Sequence, residues 1–110
     1  MLDYRMQPEA TGRILCPRYH AAVELIGRRW NGAILALLKG GPARFSDLGT
    51  AIPDISDRML TERLKELEAA GLLDRKVTPC TPVKIEYALT EKGRALQPIL
   101  GDLARWAHNW

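Results

Sequence analysis

Residues 45–71 read FSDLGTAIPDISDRMLTERLKELEAAG, two helical stretches separated by a short break. Ser56 is the residue type that caps a helix start and Gly71 the type that closes one in a left-handed turn, with Asp57 to Ala70 running unbroken between them. Stepping ~100° per residue around that helix puts Leu60, Leu64, Leu67 and Gly71 on one side. Arg58, Thr61, Glu62, Lys65 and Ala69 fall on the other. Upstream, Phe45-Ser46-Asp47-Leu48 opens a shorter helix with Ser46 in the capping role, and it closes before Pro53 because a residue preceding proline avoids helical geometry. Pro53-Asp54-Ile55 is then the connection between the two.

The flanks extend this pattern in both directions. Toward the N-terminus, Trp30 to Leu38 forms an apolar helix through Ile34, Leu35, Leu37 and Leu38, stopped by Gly40-Gly41-Pro42 and expected at the centre of the core. Before it, Tyr19, Ala22, Val23 and Ile26 recur at helical spacing from Pro17 to Gly27. Residues 1–15 show no period and read as an arm. Toward the C-terminus, Leu73 to Val77 and Val83 to Leu89 are β-favouring runs around Thr78-Pro79-Cys80-Thr81-Pro82, an antiparallel hairpin with one buried face. Thr90 opens a last helix whose Leu96, Ile99, Leu100, Leu103, Trp106, Ala107 and Trp110 make a broad apolar stripe.

Three helices, a longer helix, a hairpin and a terminal helix describe an α+β, mostly helical chain: a winged helix-turn-helix with a β-hairpin wing and terminal dimerisation helices. The domain is expected over residues 16–107, with 108–110 as a C-terminal end. A chain of 110 residues suits one domain and can bury ~60% of its unfolded surface without disulfides or metal. The longest apolar runs, such as Ala33 to Leu38, fall far short of the ~20 residues of a membrane span, and no leader pattern opens the chain. With two cysteines, these features predict a soluble protein of the reducing cytoplasm.

The net charge of +3 points toward nucleic acid, but its distribution does not single out the longer helix. Residues 1–41 hold six basic against three acidic side chains, residues 42–84 seven against seven, and residues 85–110 three against three. What matters is where the charges point. Arg58 can donate two parallel bonds to guanine, Thr61 can bond a base edge or touch a thymine methyl, and Lys65 can hold phosphate or guanine. Ser56 can reach a phosphate, and Glu62 can accept from cytosine or pair with Arg58 four residues away. The same face would serve as an ordinary solvated helix surface, but the winged context favours groove reading. Arg75, Lys76 and Lys84 on the hairpin, and Arg44 ahead of the shorter helix, are further phosphate candidates; edge protection of the strands is the competing role for Arg75 and Lys76.

Cys16-Pro17, Leu25-Ile26-Gly27, Trp30, Ile34-Leu35, Leu38, Gly41-Pro42 and Arg44-Phe45 with Leu48 resemble, in order, the HxlR-type regulators, a branch of the MarR-like winged-helix proteins. The likeness continues through Ile55-Ser56, Arg58-Met59-Leu60-Thr61, Arg63-Leu64, Glu66-Leu67-Glu68, Gly71-Leu72, Glu86-Tyr87 and Leu89-Thr90-Glu91-Lys92-Gly93. It implies a homodimeric transcriptional regulator whose terminal helices pair and whose longer helix and wing contact double-stranded DNA. Leu96, Ile99, Leu103, Trp106 and Trp110 support that dimer from the residues alone, as more apolar surface than one small domain covers. A two-fold dimer predicts an inverted-repeat operator read by helices ~34–36 Å apart. The chain departs from the family pattern in Arg28-Arg29, which replace a Gly-Lys pair, in Glu62, and in Cys80 at a wing-tip position commonly acidic. A basic pair near a helix start opposes the helix dipole, so a phosphate-facing role is expected of Arg28 and Arg29.

Cys16 matches a position at which members of that family sense oxidants or electrophiles, and a helix N-terminus with Arg18 nearby surrounds its sulfur with positive potential. A small buried hydrophobe is the alternative role for it, and Cys80 on the loop is a second candidate thiol. Cys16 and His20 stand four apart as two metal ligands would, but no third stands near, and neither metal nor cofactor is expected. Tyr19, Trp30 and Phe45 are expected in core packing, and His108 at the solvated end of the last helix. No Gly-rich phosphate loop, nucleophile elbow or paired-carboxylate cleft suggests an enzyme. The competing function is a winged-helix module for protein contacts without specific DNA binding, suggested by the neutral middle segment.

Overall fold

A computed structural model describes residues 13–110; the arm expected at 1–15 lies mostly outside the described residues. Helix α1 spans Pro17–Gly27, α2 Asn31–Leu38, α3 Phe45–Ala51, α4 Asp57–Ala69 and α5 Glu91–Asn109. Strands β1 (Ala43–Arg44), β2 (Leu73–Thr78) and β3 (Lys84–Leu89) form one antiparallel sheet in the order β1-β3-β2. The two-residue β1 is the element that sequence patterning passes over, since alternation needs a longer run to be visible.

The core is a leucine-rich cluster shared by all three central helices and the base of the sheet. Ile34, Leu35 and Leu38 of α2, Leu48 of α3, Leu60, Leu64 and Leu67 of α4, and Ile52, Leu72 and Leu73 are buried together. The α2 segment sits at its centre as its composition predicts, and the stripe of α4 that faces it is the predicted one. Each such side chain, taken from water to full burial, contributes about 1.5–3 kcal/mol before entropy is counted.

Local chemistry fixes where α3 and α4 begin and end. The Ser56 hydroxyl accepts the Met59 N–H at 3.0 Å, as its capping role requires. Ser46, however, does not cap α3. The chain is still extended at Arg44, which pairs with Glu86 across the sheet and takes the N-cap position, so the helix starts at Phe45, two residues earlier than a Ser46 cap would set it. The Asp47 carboxylate accepts the Arg44 N–H at 2.9 Å instead. Between the helices Asp54 takes a positive φ of 71°, a conformation that aspartate tolerates better than most side chains. At the far end of α4, Gly71 (φ 81°) lets Leu72 N–H reach the Leu67 carbonyl and Gly71 N–H the Glu68 carbonyl, the paired bonds of a Schellman stop.

The Thr90-to-Gly93 segment locks the start of α5 onto that stop. Thr90 Oγ1 accepts the Gly93 N–H at 3.0 Å and donates to the Gly71 carbonyl at 2.6 Å. Lys92 Nζ donates to the Ala70 carbonyl at 2.8 Å. Gly93 is the buried residue of α5; from Ile99 onward the stripe is largely in solvent. The hairpin also buries less than its alternation predicts. Leu73 is buried and β3 half-buried, whereas Val77 and Val83 are about half exposed, because the wing extends past the helices that cover its base.

Candidate nucleic-acid interface

The buried leucines orient α4 so that its opposite side is open. Arg58, Thr61, Glu62 and Lys65 are all exposed, as is Ser56 at the helix start. Arg58 Nε lies 3.2 Å from Glu62 Oε2, so the pairing expected at this spacing forms, while the Arg58 side chain stays 91% exposed. An exposed pair of this kind is worth only about 0.3–0.5 kcal/mol, so DNA can take the guanidinium from it at little cost. The Thr61 hydroxyl donates to the Asp57 carbonyl at 2.8 Å, leaving its oxygen lone pairs and its methyl outward.

Sheet register sorts the basic residues of the wing into two faces. Lys76 is opposite Glu86, Thr78 opposite Lys84, and Arg44 opposite Glu86, so Arg44, Lys76 and Lys84 project from one face with Glu86 between them. Lys84 Nζ is 3.6 Å from Glu86 Oε2. Arg75 is opposite Tyr87 and projects from the other face, toward the side that carries Leu73. The sequence predicts these cations together; strand register puts Arg44, Lys76 and Lys84 on one sheet face and Arg75 on the other.

Glu66 is the residue that sequence reading misses. Its Oε2 lies 3.0 Å from Arg28 Nε and its Oε1 accepts from Asn31 Nδ2 at 3.0 Å. Arg63 Nη1 approaches the same Oε1 at 3.8 Å, and Arg63 Nε donates to the Arg29 carbonyl at 3.0 Å. Arg29 stacks over Trp30 with its guanidinium carbon 4.6 Å from the ring centroid. Arg28 and Arg29 are exposed and also have structural partners, a structural reason for the basic pair that the dipole argument lacked. The signal for this was faint, because pairs separated by 34 to 38 residues leave no local spacing.

The terminal helices present a second surface. Ile99, Leu103, Trp106 and Trp110 are exposed by 60%, 54%, 62% and 91%. Leu96 is half-buried at the edge of the core. Between α1 and α5 lies an apolar groove of about 640 Å³, lined by Ala21, Ala22, Leu25, Ile26, Leu96 and Ile99 with others. Tyr19 and Val23 of α1 are exposed as well, so Tyr19 is not in the core as predicted, whereas Trp30 and Phe45 do pack against it. Cys16 is the N-cap residue of α1 and half-buried; Cys80 is exposed at the wing tip, its thiol 3.1 Å from the Pro82 carbonyl oxygen. Among the described residues no group of three or more His, Cys, Asp or Glu is arranged to hold a metal, and no helix is long and apolar enough to cross a membrane.

The family model HxlR-like helix-turn-helix matches residues 25–110. The chain belongs to the HxlR-like family. It is 50% identical over 96 residues to the HTH-type transcriptional regulator YvaP of Bacillus subtilis (strain 168), covering 87% of this chain and 89% of that one. Against the HTH-type transcriptional regulator YodB of the same organism the identity is 49% over 96 residues, covering 87% and 86%. The structure of reduced YodB matches with a TM-score of 0.81 over 88% of this chain and 95% of that one, at 47% identity. YodB is also known in diamide-treated and quinone-bound forms. The reduced form of the redox regulator HypR matches with a TM-score of 0.79 at 37% identity, covering 84% and 91%. This HxlR-like chain is a winged-helix, DNA-binding transcriptional regulator.

Proposed function

We propose that this regulator works as a homodimer on an inverted-repeat operator, and that oxidants or electrophiles reset it through Cys16. The observation that carries the reading is the two-sidedness of α4: Leu60, Leu64 and Leu67 are wholly buried while Arg58, Thr61 and Lys65 face solvent. A helix held so firmly on one side can offer the other to base edges with little ordering cost. Arg58 and Lys65 supply donors for guanine or phosphate, Ser56 a phosphate contact, and Glu62 an acceptor for cytosine once Arg58 has turned to DNA. Arg44, Lys76 and Lys84 add backbone contacts from the wing face they share, with Arg75 serving the opposite face. The exposed stripe of α5 and the groove beside α1 are the dimer surface, each copy covering the apolar residues of the other. The role involves no catalysis and no cofactor, and it places the protein with the chromosome in the cytoplasm.

Signal input follows from where Cys16 stands. It heads α1, the helix that borders the groove, so a group added there acts on the dimer surface directly. YodB, solved in quinone-bound and diamide-treated forms, favours this thiol chemistry. With a quinone, the sulfur adds to the ring, forming an S–C bond, and the proton that leaves sulfur is balanced by one gained at a quinone oxygen. The test is binding of the full chain to DNA from upstream of its own gene, before and after quinone treatment. Treated wild type should bind about tenfold more weakly, the size of an ordinary coupling between sites, and Cys16→Ser should be indifferent to the reagent. A Cys16→Ser protein that remains sensitive would move the sensor to Cys80. No binding by untreated protein, with a stable heteromeric complex in its place, would leave a protein-contact module.

A further inference from the structure

We propose that Glu66 is a positioning residue for DNA reading, fixing the set of α4 against the α1–α2 corner and thereby the half-site spacing that a pair of chains accepts. The inference rests on the dimeric reading above and adds to it the element that connects the dimer surface to the reading helix.

The corner is held to α4 by directional contacts. Glu66 divides its two oxygens between Arg28, at the end of α1, and Asn31, at the start of α2. Asn31 is wholly buried, and its Nδ2 also donates to the Leu25 carbonyl at 2.8 Å. Its Oδ1 has no hydrogen-bond partner among the described residues. Turning the amide over would aim that oxygen at the Leu25 carbonyl and the Glu66 carboxylate, so the orientation is forced and keeps the donor on Glu66. Arg63, one turn earlier on α4, reaches the Arg29 carbonyl and closes a second strut to the same corner.

Geometry makes this cluster a hinge stop. No residue of α1 is fully buried, so α1 has little apolar anchorage of its own, and its exposed side belongs to the dimer surface. Leucine packing alone tolerates sliding of one helix on another, whereas a carboxylate shared between a guanidinium and a buried amide has one good arrangement. Because two-fold symmetry moves both copies, a shift of α4 by about 1.7 Å relative to the dimer axis changes the half-site separation by one base pair, about 3.4 Å, so small play at the corner becomes a different preferred spacing.

The experiment uses the full chain and a series of duplexes carrying the selected half-sites with the spacer lengthened or shortened one base pair at a time, together with a single half-site duplex. Glu66→Gln keeps the acceptor for Asn31 and removes the charge that holds Arg28. Wild type should prefer one spacer, and Glu66→Gln should weaken that preference about fivefold while single half-site affinity and dimer mass stay unchanged. Arg28→Gln, made at the exposed end of the pair, should give the same result, and the double variant no more than either alone. A wild-type spacer ratio in both single variants overturns the inference; if Glu66→Gln fails to fold, Arg28→Gln decides. A wild type that binds every spacer equally overturns the dimeric reading itself, and this inference with it.

Discussion

Gly93→Ala should unfold most of the chain at temperatures where wild type is native. A Cβ built on Gly93 would lie 2.3 Å from the Leu72 carbonyl oxygen and 3.2 Å from Leu89 Cδ2. The Leu72 backbone cannot withdraw. The Leu72 carbonyl accepts the Thr90 N–H at 3.0 Å, and Leu72 itself is part of the α4 stop and buried in the core. Relief would have to pull α5 off the β2 junction, breaking the contacts of Thr90 and Lys92 with Gly71 and Ala70. Overpacking against backbone of this kind costs about 3 kcal/mol, near the upper end for single substitutions. In a domain of this size that lowers the thermal midpoint on the order of 15 °C. Gly32→Ala is the matched control, since nothing lies within 4 Å of its Cβ position, and it should melt at or above the wild-type temperature. A Gly93→Ala protein melting with wild type would mean that the junction is looser than its hydrogen bonds indicate.

Leu103→Glu combined with Trp106→Glu should give a folded monomer that binds its operator about a hundredfold more weakly, the usual loss when two linked sites become one. Both side chains are more than half exposed in the single chain, so their replacement removes little from its own core. In the dimer each new carboxylate would be buried against the partner's apolar surface, a desolvation cost that opposes association even with Arg18 and Lys92 bordering the groove. Sedimentation would report the mass and circular dichroism the helicity. A dimer of unchanged mass would place the subunit interface elsewhere than on α5.

The legible parts of this protein were those written in local spacing. Ser56, Gly71 and the leucines of α4 mark a helix, its ends and its buried side within one stretch, and the structure keeps all of them. Thr90 announced α5 in the same way. What sequence could not supply was long-range or depended on register. Arg75, Lys76 and Lys84 look equivalent until strand pairing puts Arg75 on one face and the two lysines on the other. Ser46 is a better capping residue than Arg44 in isolation, but β1 pairing holds Arg44 extended and moves the helix start. Tyr19 has the spacing of a core residue, yet it is more than half exposed, because the same helical period suits a surface position. Glu66 carries an ordinary surface-helix charge in sequence; only the fold brings Arg28 and Asn31 to it.

The proposed regulator reads bases with the outward face of α4 in two symmetric half-sites. Selection of binding sequences from random duplexes by wild type and by Arg58→Ala tests it most directly. Wild type should select an inverted repeat with half-site centres ~34–36 Å apart, and Arg58→Ala should lose preference at one symmetric position, at a cost of about 1–3 kcal/mol there. A selected sequence without two-fold symmetry, or an Arg58→Ala preference identical to wild type at every position, would contradict it.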